Sequence, residues 1–329
     1  MTAIEPVEVP PEQQSAPQRF ALVGAAGFVA PRHMRAVKDT GNVLVAALDP
    51  NDSVGVIDSY FPGADFFTEF ERFDRHIDKL RRQNGKVDYV SICSPNYLHD
   101  AHIRFALRSG AHAICEKPLV LNPWNIDGLA EIEAESDRRI FNVLQLRLHP
   151  SIIALRERIA ASKRANHDVD ITYVTSRGNW YYRSWKGDED KSGGIATNIG
   201  VHFFDMLTWV FGPVRSNVVH VRRPDATAGY LELENARVRW FLSINSEYLP
   251  KTQQRNGQRT FRSIIVDGDE LEFSSGFTDL HTETYRHILQ GGGFGLKEAR
   301  SAINIVHTIC TAATTPLTGE YHPLCKQTP

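Results

Sequence analysis

The stretch Arg19-Phe20-Ala21-Leu22-Val23-Gly24-Ala25-Ala26-Gly27-Phe28-Val29-Ala30 decides how the rest of the chain is read. Its first residues form a short apolar run that ends at Gly24, which reads as a buried strand. Gly24 and Gly27 make a turn, and a helical stretch then runs to Lys38 before Thr40-Gly41 closes it. Strand, glycine turn and helix in this order let the backbone approach a pyrophosphate. Unpaired N–H groups and the positive end of the helix dipole point at the same place. Asn42 to Leu48 is a second strand, and it ends in Asp49, 25 positions beyond Gly24 against roughly 20 in a dinucleotide-binding unit. A carboxylate there accepts hydrogen bonds from the adenosine ribose and repels a 2′-phosphate, so NAD is expected over NADP. The pattern is G-x-x-G-x-x-A, one residue longer than the usual G-x-G-x-x-G, with Phe28 and Val29 leading into the helix.

The alternation continues outward from this unit. Phe70, Phe73, Ile77 and Leu80 recur at helical spacing, so Glu71 to Arg82 is an amphipathic helix with those residues in the core. Tyr89 to Cys93 is a strand ending in Ser94-Pro95-Asn96, and Tyr97 to Arg108, which includes His99, is a helix. Ala111-His112-Ala113-Ile114-Cys115-Glu116-Lys117-Pro118 reads as a buried strand that must stop at its proline. Ligands of open α/β sheets bind beyond the carboxyl ends of the strands, so Lys117 is aimed into the cleft. Asn122-Pro123 starts another helix. Ile140 to Leu144 reads as the sixth strand, followed by Gln145-Leu146-Arg147. A complete doubly wound parallel (Rossmann) domain is therefore expected over residues 19–148, after a mobile, Pro-, Glu- and Gln-rich tail at 1–18. Ser94, Pro95, Asn96, His99, Glu116, Lys117 and Gln145 are its expected cofactor contacts, beside Gly24, Gly27, Phe28, Val29 and Asp49.

Beyond residue 148 the rhythm changes. His149 to Ala161 is a linking helix. Strands then follow at Val169 to Arg177, Val214 to Arg222, Tyr230 to Glu234, Val238 to Ile244, Phe261 to Val266 and Glu270 to Phe273. This is an α+β domain with a large, mostly antiparallel open sheet, closed by a helix over Gly295 to Thr311. So wide a sheet with so few helices calls for a second subunit to cover it. Residues 149–329 are thus expected to bind substrate and to build a homo-oligomer, most simply a tetramer.

Composition narrows the function. The 329 residues are 42% hydrophobic and 23% charged with a net charge of −2, an ordinary globular profile and not that of a nucleic-acid binder. No run approaches about 18 apolar residues, so no membrane span is expected, and the N-terminus lacks a signal-peptide pattern. Cys93, Cys115, Cys310 and Cys325 form no C-x-x-C pair, and the histidines show no ligand spacing. A reducing cytoplasm and no metal are the expectation.

A second constellation lies at Ser176-Arg177-Gly178-Asn179-Trp180-Tyr181-Tyr182-Arg183-Ser184-Trp185-Lys186-Gly187-Asp188, rich in aromatics and cations. Ser192-Gly193-Gly194-Ile195-Ala196-Thr197-Asn198-Ile199-Gly200-Val201-His202 follows and enters a helix over Phe203 to Phe211, on which His202, Asp205, Thr208 and Trp209 share a face. Three markers together resemble the glucose–fructose oxidoreductase/inositol dehydrogenase/MocA family of sugar dehydrogenases. They are the Gly24 turn, Glu116-Lys117-Pro118, and the glycine-rich stretch ending in G-x-H at Gly200 and His202. Within it, the blocks Arg177 to Asp188 and Ser192 to Met206 resemble the bacterial UDP-N-acetylglucosaminuronic acid dehydrogenases.

The resemblance implies NAD-dependent oxidation of a sugar C3 hydroxyl in nucleotide-sugar synthesis for surface polysaccharide (lipopolysaccharide O-antigen), with NADH recycled by 2-oxoglutarate. It makes Lys117 the candidate base and His202 the group sharing the hydroxyl, with His202 as base the alternative. The wider family's D-x-G-x-H has Asn198 in place of its Asp here. An amide cannot take a proton but can hydrogen-bond a hydroxyl, and the narrower group resembled carries Asn there too. A diphosphate and a carboxylate call for guanidinium forks. Arg147, Arg177 and Arg183 are the candidates, with Asn179 nearby and Trp180 and Tyr181 to stack on the sugar or uracil. Two other readings keep the fold: a dehydrogenase of a neutral sugar or polyol, and a non-catalytic NAD or sugar-nucleotide sensor.

Overall fold

Strands that are apolar on both faces need helices on both sides, and the N-terminal half is built that way. The computed structural model describes residues 16–271 and 279–327. Most of the N-terminal tail and residues 272–273 of the last expected strand therefore lie outside the described residues. The first half runs β1 (Arg19–Val23), α1 (Ala30–Asp39), β2 (Val43–Leu48), β3 (Asp65–Phe67), α2 (Phe70–Arg82), β4 (Tyr89–Ile92), α3 (His99–Arg108), β5 (His112–Cys115), α4 (Pro123–Glu135) and β6 (Ile140–Asn142). The strands pair in parallel in the order β3-β2-β1-β4-β5-β6. The order reverses between β1 and β4, which opens the crevice where such sheets bind ligands. β3 goes unnamed in the sequence reading because three residues are too short to show alternation.

The second half runs α5 (Pro150–Ala161), β7 (His167–Thr175), α6 (Trp180–Arg183), α7 (Glu189–Ser192), α8 (Val201–Phe211), β8 (Val214–Arg222), β9 (Ala226–Leu233), β10 (Ala236–Ser243), α9 (Lys251–Arg255), β11 (Thr260–Val266), β12 (Asp269–Glu270), α10 (Leu280–Leu289) and α11 (Leu296–Thr311). Its sheet has the order β12-β11-β7-β10-β9-β8, antiparallel throughout except for the parallel pair β7–β10. The helices α8 and α11 bury Phe203, Phe204, Ile303 and Val306 in the same core as Val169, Ile171, Val238 and Trp240 of this sheet. No helix among the described residues is long and apolar enough to cross a membrane.

The sequence names no helix at α6, α7, α9 or α10; the first three are four or five residues long, and α10 is the one that matters for the site. α10 lies in the second half of the chain but packs on the first, where Tyr285 and Ile288 join Phe20, Leu22 and Met34 in one core cluster. It carries His281 and Tyr285 to the underside of the cleft, as described next.

Candidate active site

The glycine turn is held by contacts only glycine permits. Gly24 has φ +90°, and a Cβ there would come within 2.6 Å of the Cys93 carbonyl carbon and the Ser94 nitrogen. Asp49 is buried. Its Oδ2 accepts from Ala26 N at 2.9 Å, and its Oδ1 accepts from Asn51 N at 2.9 Å and Asn51 Nδ2 at 3.1 Å. It thus ties the turn to the end of β2. A carboxylate has about four acceptor sites, so one remains for a ribose hydroxyl. α1 opens at Val29 with no side-chain cap, and Phe28 stands 84% exposed at the crevice mouth. A backbone turn at the switch point, an uncapped helix start and an acid at the end of β2 fit a dinucleotide.

The neighbouring polar residues brace the cleft. His99 spans two strand-end loops, 2.7 Å from the Pro118 carbonyl oxygen and 2.9 Å from that of Ser94. Ser94 Oγ meets His102 Nδ1 at 2.8 Å, and Asn96 Nδ2 donates to the Ser192 carbonyl at 2.9 Å, joining the two halves of the chain. Both ring nitrogens of His99 are therefore spent on protein, a correction to its reading as a side-chain cofactor contact, whereas Asn96 commits only its amide nitrogen. Pro95 leads into the short turn at Asn96–Leu98, and Gln145 opens a turn just beyond β6, half-buried.

Lys117 follows the end of β5 and is half-buried, and its Nζ donates to the Asn198 carbonyl oxygen at 3.3 Å. Burial lowers its amine from the usual lysine range. Glu116 opposes that shift, and Lys186, Arg177 and Arg32 add to it. His202 starts α8 nearby. Burial carries its imidazole well below the usual range, with Lys117 and Arg262 pushing the same way. Its Nδ1 is buried without a hydrogen-bond partner among the described residues. Asn198 sits in a π-helical turn, Ala196–Gly200, of the kind that clusters at functional sites. Its Nδ2 donates to the Tyr181 hydroxyl at 3.2 Å.

The aromatic–cationic loop divides into two sets. Tyr181 is 2% exposed and lies in the core, with only its hydroxyl reaching Asn198, so it cannot stack on a sugar. Trp180 remains 51% exposed, and Asn179 and Arg177 are exposed beside it. Lys186 Nζ lies 5.1 Å from the Trp185 ring centre and 5.5 Å from that of Trp180. Burial lowers this amine, and Arg177 lowers it further. Lys117, Arg177 and Lys186 thus converge. Lys186 is not among the residues expected from sequence to meet the substrate, although its position beside Trp185 and near Trp180 is a usable signal.

Arg147 is a correction. It is buried and bidentate to Asp205, with Nε–Oδ2 at 3.0 Å and Nη2–Oδ1 at 2.7 Å, and it also donates to the Glu298 carbonyl. Burial raises the Asp205 carboxyl while the Arg147 bonds pull it down. The pair locks the turn beyond β6 to α8 and leaves no fork for a substrate. The Asp205 carboxylate is committed to Arg147, while Thr208 Oγ1 donates to the Asp205 carbonyl at 3.0 Å and the Arg147 guanidinium lies 5.9 Å from the Trp209 ring centre.

Glu116 is buried under the cleft. Its Oε1 accepts from His33 Nε2 at 3.0 Å and His281 Nε2 at 2.9 Å, and its Oε2 from Lys117 N at 3.2 Å. His33 Nδ1 meets the Tyr285 hydroxyl at 2.8 Å, and that hydroxyl meets Ser91 Oγ. Burial pushes the Glu116 carboxyl up, but the His281 and His33 bonds outweigh it and hold it well below the usual range. The trio lies within 4.8 Å, as a closed hydrogen-bonded unit. Glu116 does not face a cofactor with its side chain. His33 and His281 were missed because the partners are far apart in sequence.

A Rossmann switch point facing a half-buried lysine is the arrangement of a nicotinamide-dependent dehydrogenase. Comparison with known proteins agrees. The oxidoreductase-family NAD-binding Rossmann model matches residues 18–143, and that family's C-terminal alpha/beta model matches residues 166–302. The chain belongs to the GFO/IDH/MocA oxidoreductase family and binds NAD through its N-terminal domain. Among solved structures, it is similar to the WlbA (WbpB) dehydrogenase of Thermus thermophilus in complex with NAD and UDP-GlcNAcA. That match is 55% identical with a TM-score of 0.90, over 93% of this chain and 99% of that one. A complex of that dehydrogenase with NAD and alpha-ketoglutarate matches at 56% over the same shares, with the same TM-score. Among curated relatives, the D-glucoside 3-dehydrogenase of Escherichia coli is 30% identical over 39% of this chain and 36% of its own length. The match spans about a third of the length of the first curated relatives.

Proposed function

We propose that the protein oxidises the C3 hydroxyl of a UDP-N-acetylated glucuronic acid to the 3-keto sugar, with NAD as partner. One observation carries this reading: 55% identity, over nearly the whole chain, to a dehydrogenase crystallised with NAD and UDP-GlcNAcA. The convergence of Lys117, Arg177 and Lys186 supports an anionic substrate over a neutral polyol.

NAD, when bound, supplies the hydride acceptor. Lys117 takes the hydroxyl proton. Burial and neighbouring cations favour its neutral amine, and donation to the Asn198 carbonyl orients that amine. A base is most useful when its pKa lies near the working pH, which speaks against His202. Kept neutral, His202 holds the hydroxyl in place. The Asn198 amide, fixed by Tyr181, offers a further hydrogen bond.

The alpha-ketoglutarate complex of the Thermus protein supports recycling of NADH by 2-oxoglutarate here. We place the reaction in the cytoplasm, serving surface polysaccharide; four free thiols support a reducing compartment. A homo-tetramer is part of the reading. Cross-strand pairs such as Asp170–Arg239, and Tyr230 beside them, alternate with the residues that face α8 and α11, so they form the sheet's other face. Light scattering should give four chain masses, and a monomer would refute that part.

The test is a reaction with NAD and candidate sugars. UDP-GlcNAcA should raise the reduced-nicotinamide absorbance and give a product two hydrogens lighter by mass spectrometry. Faster turnover of myo-inositol would overturn the substrate, and failure of every sugar tested to reduce NAD would favour the sensor reading.

A further inference from the structure

Glu116 and Lys117 follow directly on the end of β5, and the Lys117 backbone N–H donates to the Glu116 carboxylate at 3.2 Å. The Glu116 carboxylate is enclosed by three elements that the sequence holds far apart. His33 reaches it from α1, His281 from α10, and the Lys117 backbone N–H from its own strand. Behind His33, the Tyr285 hydroxyl and Ser91 Oγ complete the chain. His33 is fully buried, and Glu116 and His281 are nearly so, so water does not compensate this carboxylate.

We infer that Glu116, clamped by His33 and His281, is a positioning residue that supplies a fixed buried negative charge and so sets the pH at which Lys117 gives up its proton. The inference rests on Lys117 as the base, but its test needs no substrate. Three cations, Lys186 and Arg177 from the aromatic loop and Arg32 from α1, all drive the Lys117 proton off, as does burial. Glu116 pulls the other way, more strongly than any one of those cations pushes. Left to the cations, the amine would lose its proton too readily to be a strong acceptor. The carboxylate restores part of its basicity. Other titratable groups face Glu116: Cys93 beyond β4, Cys115 on β5, and His99 on α3. Burial holds both thiols protonated and His99 toward its neutral form, so Glu116 is the anion among them. The clamp explains why a buried carboxylate stays ionised: two imidazole N–H donors on one oxygen offset what burial costs.

The test measures Lys117 directly in the full-length protein. Labelling of lysines by fluorodinitrobenzene, read by peptide mass spectrometry against pH, reports the fraction of each amine that is unprotonated. In Glu116→Gln the Lys117 midpoint should fall by about 1 to 3 pH units, the usual span for loss of a nearby opposite charge. Exposed Lys297 is the internal control and should not move. His281→Ala should lower the Lys117 midpoint in the same direction, because a half-clamped buried carboxylate takes up a proton more readily. His281→Gln keeps an N–H donor and should restore it toward wild type. NAD titration calorimetry checks that each variant is folded, and if Glu116→Gln does not fold, the histidine pair of variants reads the same midpoint. An unchanged or raised midpoint in Glu116→Gln overturns the inference. A lowered midpoint there with no movement in His281→Ala overturns the clamp. Neither result touches the substrate assignment, which the sugar assay tests alone.

Discussion

Lys117 Nζ donates to the main-chain carbonyl oxygen of Asn198 across 3.3 Å, so the amine of one domain is aligned by the backbone of the other. A neutral amine that gives one N–H to a carbonyl has its lone pair directed away from that carbonyl. The carbonyl sits in the π-helical turn Ala196–Gly200, just before α8 and His202. Lys117 and His202, the proposed base and its hydroxyl-holding partner, are therefore tied to one junction.

The sign of the pH dependence follows from this site. Burial and the cations around Lys117 favour its neutral form. Hydride transfer should rise with pH through a midpoint below the ordinary lysine range, as the amine becomes able to accept a proton. His202 is already neutral across that limb, so His202→Gln should lower the rate and leave the midpoint in place. A stopped-flow pH series on wild type and variant checks both.

On the proposed function, Arg177 and Lys186 act on substrate and not on cofactor. Arg177→Ala or Lys186→Ala should raise KM for UDP-GlcNAcA about tenfold or more, the effect of losing a charged hydrogen bond worth about 1.5–3 kcal/mol. NAD affinity by calorimetry should stay unchanged. Trp180→Ala, which removes one of the two rings near Lys186, should act in the same direction.

Arg147 should behave as part of the core. Arg147→Ala leaves Asp205 buried and unpaired, so it should cost about 3–5 kcal/mol of stability. Urea denaturation measures this. If stability were untouched while KM for the sugar rose, Arg147 would be a substrate contact after all.

Asp49 binds Ala26 N in the glycine turn, and the proposed NAD site gives it a second task at the ribose. Asp49→Ala should weaken NAD binding and narrow the preference over NADP, as calorimetry with both cofactors would show. Asp49→Asn keeps the acceptor oxygen but not the charge. It should preserve the turn while relaxing the rejection of the 2′-phosphate.

The parts of the fold readable from sequence are those where a local pattern has a local cause. Gly24 marks a turn because no Cβ fits against Cys93, and Pro118 ends a strand wherever it occurs. The buried alternation around β1, β2, β4 and β5 is likewise self-announcing. α10 was not readable. Its Leu280, Thr284 and Ile288 do recur at helical spacing, but nothing in that spacing says that the helix returns to the first domain. The site shows the same division. Lys117, Asn198 and His202 fall in short motifs and meet in space. Arg147 has the chemistry of an anion receptor, and only its burial against Asp205, 58 positions away, shows it committed elsewhere. Tyr181 looks like an exposed stacking ring until the fold turns it inward.

Single-turnover hydride transfer tests the central claim most directly. Protein loaded with NAD is mixed with UDP-GlcNAcA, and the rise of reduced-nicotinamide absorbance is followed in wild type, Lys117→Met and His202→Ala. Lys117→Met should bind NAD normally, lose about a hundredfold to ten-thousandfold in rate, and lack the pH limb, while His202→Ala should keep that limb at reduced amplitude. Near-normal transfer in Lys117→Met together with its abolition in His202→Ala would reverse the two roles and contradict the account.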